Sequence, residues 1–383
     1  MKIENDPSLG SLMTFELSKK EPIHRWFWYK EGYSPHLIEQ IFRTEKFDGQ
    51  GLVYDPFCGV GTTLLASKDS GFESAGIDAS PLAVFVSRTK TDDYSDSDIA
   101  EVEEFLKTMH GRKTESSIRW DFELFPPRAA FPRRNLSDML SLRQMIEDVD
   151  SKAANLLLLA LVSIIPVTSI VVKDGGVLKI DKRKRAVPAK AAFKRRLKSI
   201  LSDLKNSKGK AGSIPDVRLG DARFLPAKDE SAGIVITSPP YLNNVDYSKI
   251  YGLEISLLSL DPSQTKKVRS GSLRSFITQE NDAKTIPKEV EDAGAKIPVI
   301  GTYFSDMEKS ISEMHRILRP GASAHIVVSN SVIHETHVMV DEILAQIGER
   351  LGFESSIVVG AERIADVKPH KVKTRESIVV LRK

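Results

Sequence analysis

Four short apolar runs end alike, and that shared ending limits the folds open to this chain. "GLVYD" (51–55) closes on Asp55, "ESAGID" (73–78) on Asp78 and "DVRLGD" (216–221) on Asp221, while "AGIVIT" (232–237) runs into Ser238. Short apolar runs of this kind suit buried strands. Helical patterns alternate with them, among them "TTLLASKDSG" (62–71), "FSDMEKSISEMHRIL" (304–318) and a stretch over roughly 337–350. That alternation predicts an α/β protein. In such sheets ligands bind in the crevice beyond the carboxyl ends of the strands. Polar residues that end successive strands therefore share one rim.

The 383 residues allow two domains, or one large domain with an insertion. Residues 96–212 break the alternation and read as a mostly helical insertion between 1–95 and 213–383. Within it, 173–210 carries fourteen Lys/Arg against Asp174, Asp181 and Asp203, an excess of eleven in a chain whose net charge is only +3. "KDGGVLKID" (173–181) predicts a hairpin turning at Gly175 and Gly176. The stretch 261–300 reads as a long mobile loop, "RPGA" as a turn before the strand "SAHIVVS" (323–329), and "SSIVVG" and "ESIVVLR" as a closing antiparallel pair. "LLLLALVSII" (156–165) is too short to span a bilayer and reads as a buried helix that packs the insertion onto the sheet. No apolar leader opens the chain and Cys58 is its one cysteine, so a reducing cytoplasm is expected, with no disulfide framework and no membrane. The eight histidines show no metal-ligand spacing, so no metal is expected.

In "DPFCGVGTT" (55–63) a strand ends, Gly59 and Gly61 allow a tight turn with close ligand approach, and a helix begins. Asp78 stands where an acid takes ribose hydroxyls. A P-loop fits poorly, because no Lys-Ser/Thr pair follows the second glycine. At the fourth strand's end, Ser238-Pro239-Pro240-Tyr241 sets a hydroxyl, a rigid carbonyl and an aromatic face on the same rim. Those parts suit a flat ligand with an exocyclic amine, whose N–H groups the oxygens accept while the tyrosine stacks on the ring.

Together these motifs resemble the S-adenosylmethionine-dependent amino-methyltransferases that act on exocyclic amines of DNA bases. "DPFCGVGTT" is similar to that family's cofactor loop and "TSPPY" to its catalytic loop, with "GIDASP" and "RLGDARFLP" resembling the acidic motifs between them. "WYKEGYSPHLIEQIF" (28–42) is similar to the segment that closes over the methionine end. The resemblance covers roughly 22–95 and 213–383 and implies a Rossmann-like, seven-stranded, mostly parallel sheet with one antiparallel strand. It places Asp55, Phe57, Gly59 and Gly61 around the cofactor's amino-acid portion, Asp78 at the ribose and Asp221 at the adenine amine. Lys30 and Ser34 become candidates near the methionine carboxylate, although Ser34 also reads as a helix N-cap before Pro35. Ser238, Pro239, Pro240 and Tyr241 would hold the target base, flipped out of its duplex.

Methylation at a ring carbon uses a cysteine in the base-holding loop. Cys58 lies in the cofactor loop instead, so that route is rejected. The resemblance implies cytosine N4 for a serine at the head of the loop, with adenine N6 in DNA and guanine N2 in RNA as alternatives. Lys182, Arg183, Lys184, Arg185, Lys194, Arg195 and Arg196 are expected to contact phosphates. Trp26, Phe27, Trp28 and Tyr29 could stack on bases, but core packing and cofactor cover are the preferred reading. A companion restriction endonuclease is a further expected partner, and a nucleic-acid binder that holds the cofactor without turnover is the alternative outside enzymes.

Overall fold

The computed structural model describes residues 1–109, 116–174, 176–206, 212–242, 245–275, 286–292, 297–333, 336–367 and 370–383. Its strands are β1 (Lys2–Asn5), β2 (Leu52–Asp55), β3 (Ser74–Asp78), β4 (Val171–Asp174), β5 (Val177–Ile180), β6 (Asp216–Leu219), β7 (Ala232–Thr237), β8 (Leu318–Ser329), β9 (Ser331–Ile333), β10 (Thr336–Val338), β11 (Glu354–Val367) and β12 (His370–Arg382). Eight of them form one sheet in the order β1-β11-β12-β8-β7-β2-β3-β6. Neighbours run parallel except around β12, which is antiparallel to both β11 and β8. The chain moves outward from β2 through β3 to β6, then returns to the other side of β2 as β7. Connections on the two sides therefore diverge, and a crevice opens beyond the carboxyl ends of β2 and β7.

The expected seven strands are present, the reversed one being β12, last in the chain and set between β11 and β8, and β1 adds an eighth at the edge. All four residues of β1 are exposed. Its sequence therefore carries no apolar alternation, and backbone pairing to β11 in the register Lys2↔Ser356 specifies it. "RPGA" is part of β8 rather than a separate turn, and the β7–β8 register shifts between Ala232↔Leu318 and Ile234↔Ser323 to absorb it. The stretch 261–300 is not a continuous loop. Its described residues include helices Gln264–Gly271 and Lys288–Asp292, and helix Pro298–Ile317 begins within it. Arg274 ties the intervening segment to the buried Asp306 with Nε and Nη2 at 2.9 and 2.8 Å.

The insertion packs its helices Asp96–Thr108, Arg133–Glu147 and Ala189–Asn206 around Ala153–Ser163, which is apolar on nearly every side and accordingly buried. That core continues without a break into Trp26, Phe27, Leu82 and Val86, and into helix Gly252–Ser259. The insertion thus shares its core with the elements flanking the crevice. Asp203, one of the few acids of the basic segment, is buried there. It accepts from Trp26 Nε1 at 2.9 Å, Arg25 Nε at 3.0 Å and the Ile23 backbone at 3.1 Å. β4 and β5 pair antiparallel from Val171↔Ile180 to Asp174↔Val177, leaving Gly176 in the turn and Gly175 outside the described residues. No helix among the described residues is long and apolar enough to cross a membrane.

Candidate active site

A cleft of about 410 Å³ occupies the crevice, within the usual range of small-molecule sites. Its wall includes Lys30, Asp55, Phe57, Gly59, Asp78 and Asp221 from the cofactor candidates, and Ser238, Pro239, Pro240 and Tyr241 from the proline elbow. Two segments far apart in sequence thus face one space, because β2 and β7 are hydrogen-bonded neighbours.

Asp55 fastens that junction. Thr237 Oγ1 donates to it at 2.6 Å, Thr63 Oγ1 at 2.7 Å, the Phe57 amide at 3.1 Å and the Tyr33 hydroxyl at 3.3 Å. Burial outweighs these donors and pushes the Asp55 carboxyl up to about 6. Asp78 accepts from the Gly59 amide at 2.9 Å and the Ser80 amide at 2.8 Å, which fixes the glycine turn against the end of β3. Burial raises its carboxyl to about 6 as well, against those two amide donors. At Asp221 the guanidinium of Arg223 is already bound, Nη2 at 2.7 Å and Nε at 2.9 Å, and Arg223 reaches on to Asp306 at 3.1 Å. An ionised carboxylate has further lone pairs, so Asp221 still accepts on its open side.

The two glycines of the turn have different tasks. Gly59 (φ +49°) presents open space toward the cleft, where a Cβ would meet only the Tyr29 ring at 3.6 Å. Gly61 (φ +78°) faces the other way, and a Cβ there would lie 2.3 Å from Ser87 Oγ. It lets helix Thr62–Asp69 start hard against helix Pro81–Thr91, and it is not part of the cleft wall. Ser34 is likewise outside that wall. It is fully buried as the N-cap of helix Pro35–Glu45, accepting from the His36 amide at 3.2 Å.

Residues not singled out for chemistry complete the wall. Tyr29, read as packing or cover, stacks on Tyr251 with ring centres 4.8 Å apart, and the Tyr251 hydroxyl donates to Glu31 at 2.6 Å. Lys173 on β4 sits 3.5 Å over the Tyr251 ring and pairs with Glu254 at 3.1 Å, so the insertion's hairpin braces this wall. Glu376 closes the far side, and its Oε1 accepts from the Tyr241 hydroxyl at 3.1 Å. An acid at the rim was the signal used for Asp55, Asp78 and Asp221. Here it lies in mid-strand, at the first pair that the reversed β12 makes with β8, Glu376↔Ser329. Cys58 is buried, and burial pushes its thiol well above the usual range, as suits packing rather than attack.

The basic segment separates into two groups. Lys182, Arg183, Arg185, Lys194 and Arg195 are exposed. Lys184 instead donates to the Pro166 and Val171 carbonyls, each at 2.5 Å, and Arg196 donates to the Arg25 carbonyl at 2.8 Å. Lys184 thus ties the insertion to itself and Arg196 ties it to the segment before helix Pro35–Glu45, which corrects the expectation that all seven reach phosphates.

No protein-family model matches the chain. It is 27% identical to the Type II methyltransferase M.AvaI of Nostoc sp. over 402 residues, 89% of this chain and 81% of that protein. To the Type II methyltransferase M.BsoBI of Geobacillus stearothermophilus it is 23% identical over 418 residues, 90% of this chain and 81% of that one. Among solved structures, a SAM-dependent methyltransferase of Methanosarcina mazei aligns with 90% of this chain and 96% of its own, at a TM-score of 0.34 and 10% identity.

Proposed function

We propose that this chain, a relative of the Type II methyltransferases along nine-tenths of its length, methylates an exocyclic amine of a DNA base, using S-adenosylmethionine. The observation that carries the reading is one shared cleft, with the glycine turn and Asp78 on one wall and Ser238-Pro239-Pro240-Tyr241 on the other.

The residues present suit the cofactor. Gly59 leaves room for close approach, Asp78 offers a carboxylate to ribose hydroxyls and Asp221 one to the adenine amine, with Phe57 and Tyr29 as apolar cover. When bound, the cofactor supplies a methyl group on a sulfonium that is already activated toward nucleophiles. The protein's own task is to hold the amine. Its lone pair is delocalised into the base ring, and acceptors on both N–H groups favour the pyramidal form that attacks in line. Ser238 Oγ and the Pro239 carbonyl are those acceptors, and Tyr241 gives the ring a stacking face. A stacked base cannot enter such a cleft, so the target is flipped out.

Cytosine N4 is the preferred amine, on the strength of serine at the head of the elbow. The exposed basic residues Lys182, Arg183, Arg185, Lys194 and Arg195 hold the duplex by its phosphates. The test is transfer of label from the cofactor to DNA and, separately, to RNA. Tyr241→Ala should keep cofactor binding and lose turnover, whereas Asp78→Ala should weaken cofactor binding. Full turnover in both variants, or label in RNA alone, contradicts this reading.

A further inference from the structure

Lys90 on helix Pro81–Thr91 is 2% exposed, and its Nζ donates to the Val60 carbonyl at 3.1 Å. Val60 stands between Gly59 and Gly61, so a buried ammonium holds the glycine turn from behind. Lys68, also buried, ends on Asp93 at 2.6 Å and on the Thr91 carbonyl at 2.7 Å. Lys90 has no such acid among the described residues, and burial pulls its ammonium down to about 7. Bracing one carbonyl does not require a charge, because an amide donates as well with no ion to desolvate. An anion nearby would favour the charged form.

The cleft can supply that anion. Lys90 lines a void of about 10 Å³, room for a water and for no larger group. Tyr29, Gly32, Tyr33, Val60 and Thr62 line both this void and the cleft, so they form the wall between Lys90 and the cleft. The cofactor reading above, on which this inference rests, puts adenine at Asp221 beyond β6 and ribose at Asp78 beyond β3. The next position along that rim is the turn after β2, where the amino-acid end meets the wall that Lys90 backs. We infer that Lys90 is the fixed counter-charge for the carboxylate of S-adenosylmethionine, acting across this wall rather than by contact. It is therefore a positioning residue, and it turns the cofactor's ammonium away from itself. Lys30, the other cation considered for this carboxylate, is exposed. Water and salt screen an exposed ammonium, whereas a buried one keeps its field.

The experiment measures, by calorimetry, the affinity of the parent and of Lys90→Gln for S-adenosylmethionine and for its decarboxylated analogue, with Tm as a check on folding. The parent should bind the analogue about 10-fold more weakly, and should still do so at high salt. Lys90→Gln keeps a donor for Val60 and removes the charge, so it should bind the two ligands nearly alike with no loss of Tm. A parent that binds both ligands equally overturns the inference without any variant. So does a Lys90→Gln protein that keeps the parent's preference, or one that loses affinity for both ligands to the same degree, the mark of a brace alone. In each of those cases the cofactor reading stands. A parent that binds neither ligand overturns that reading as well.

Discussion

Gly61 and Asp78 show how single side chains hold the cofactor wall in shape. With φ at +78° and Ser87 Oγ 2.3 Å from the site of a Cβ, Gly61 tolerates no substitution without moving a helix. Gly61→Ala is expected to cost about 1–3 kcal/mol through left-handed strain and overpacking, read as a lower Tm, with weaker cofactor binding as the turn shifts. Asp78 carries a pH signature. Its carboxyl is raised to about 6 by burial, so the folded protein binds this proton more tightly than the unfolded chain does. The resulting stability cost is present above about pH 6 and disappears as the pH falls toward the unfolded value. Ribose hydroxyls donate to the ionised form, so cofactor affinity should fall as pH drops through about 6. Calorimetry across pH 5 to 8 checks this, and Asp78→Asn should bind weakly with a flat profile. Asp78 and the elbow Ser238–Tyr241 could be placed on one rim because the first ends a parallel strand and the second directly follows one. Glu376 could not, since it sits in the middle of the reversed β12, where pairing with the end of β8 brings it to the rim.

Among the elements, the insertion was legible as a basic helical unit but not in its attachments. Its charge run conceals two kinds of cation, and sequence periodicity cannot distinguish a lysine that reaches water from one that ends on a carbonyl. Lys184 on the Pro166 and Val171 carbonyls is the second kind. Nor does an acid inside a basic run announce that it is the anchor. Asp203 accepts from Trp26, Arg25 and Ile23 in a region almost closed to solvent. Asp203→Ala leaves those donors unsatisfied and should destabilise the protein by about 3 kcal/mol, seen as a shifted urea midpoint. The exposed Lys194 and Arg195 predict the opposite result. Replacing both with alanine should leave Tm unchanged and weaken DNA binding, reducing the slope of log affinity against log salt by about 2. An unchanged salt slope removes this helix from the DNA interface.

At the scale of the whole molecule, most of the sheet was legible because buried parallel strands are short, apolar and punctuated by polar residues. The rest was set by neighbours instead: β1 by the edge of β11, the β8 bulge by the register of β7, and the place of Tyr251 against Tyr29 by the insertion's hairpin. The account depends on β2 and β7 lying side by side, since that adjacency turns two distant motifs into one site. Its central claim is that an amino group held at Ser238 and Pro239 receives the methyl. The most direct measurement is mass-spectrometric analysis of nucleosides from DNA incubated with the protein and S-adenosylmethionine. The account predicts an N-methylated exocyclic amine, N4-methylcytosine foremost, which vanishes with Tyr241→Ala. Methyl groups found only on ring carbon, or unchanged DNA beside intact cofactor binding, would contradict it.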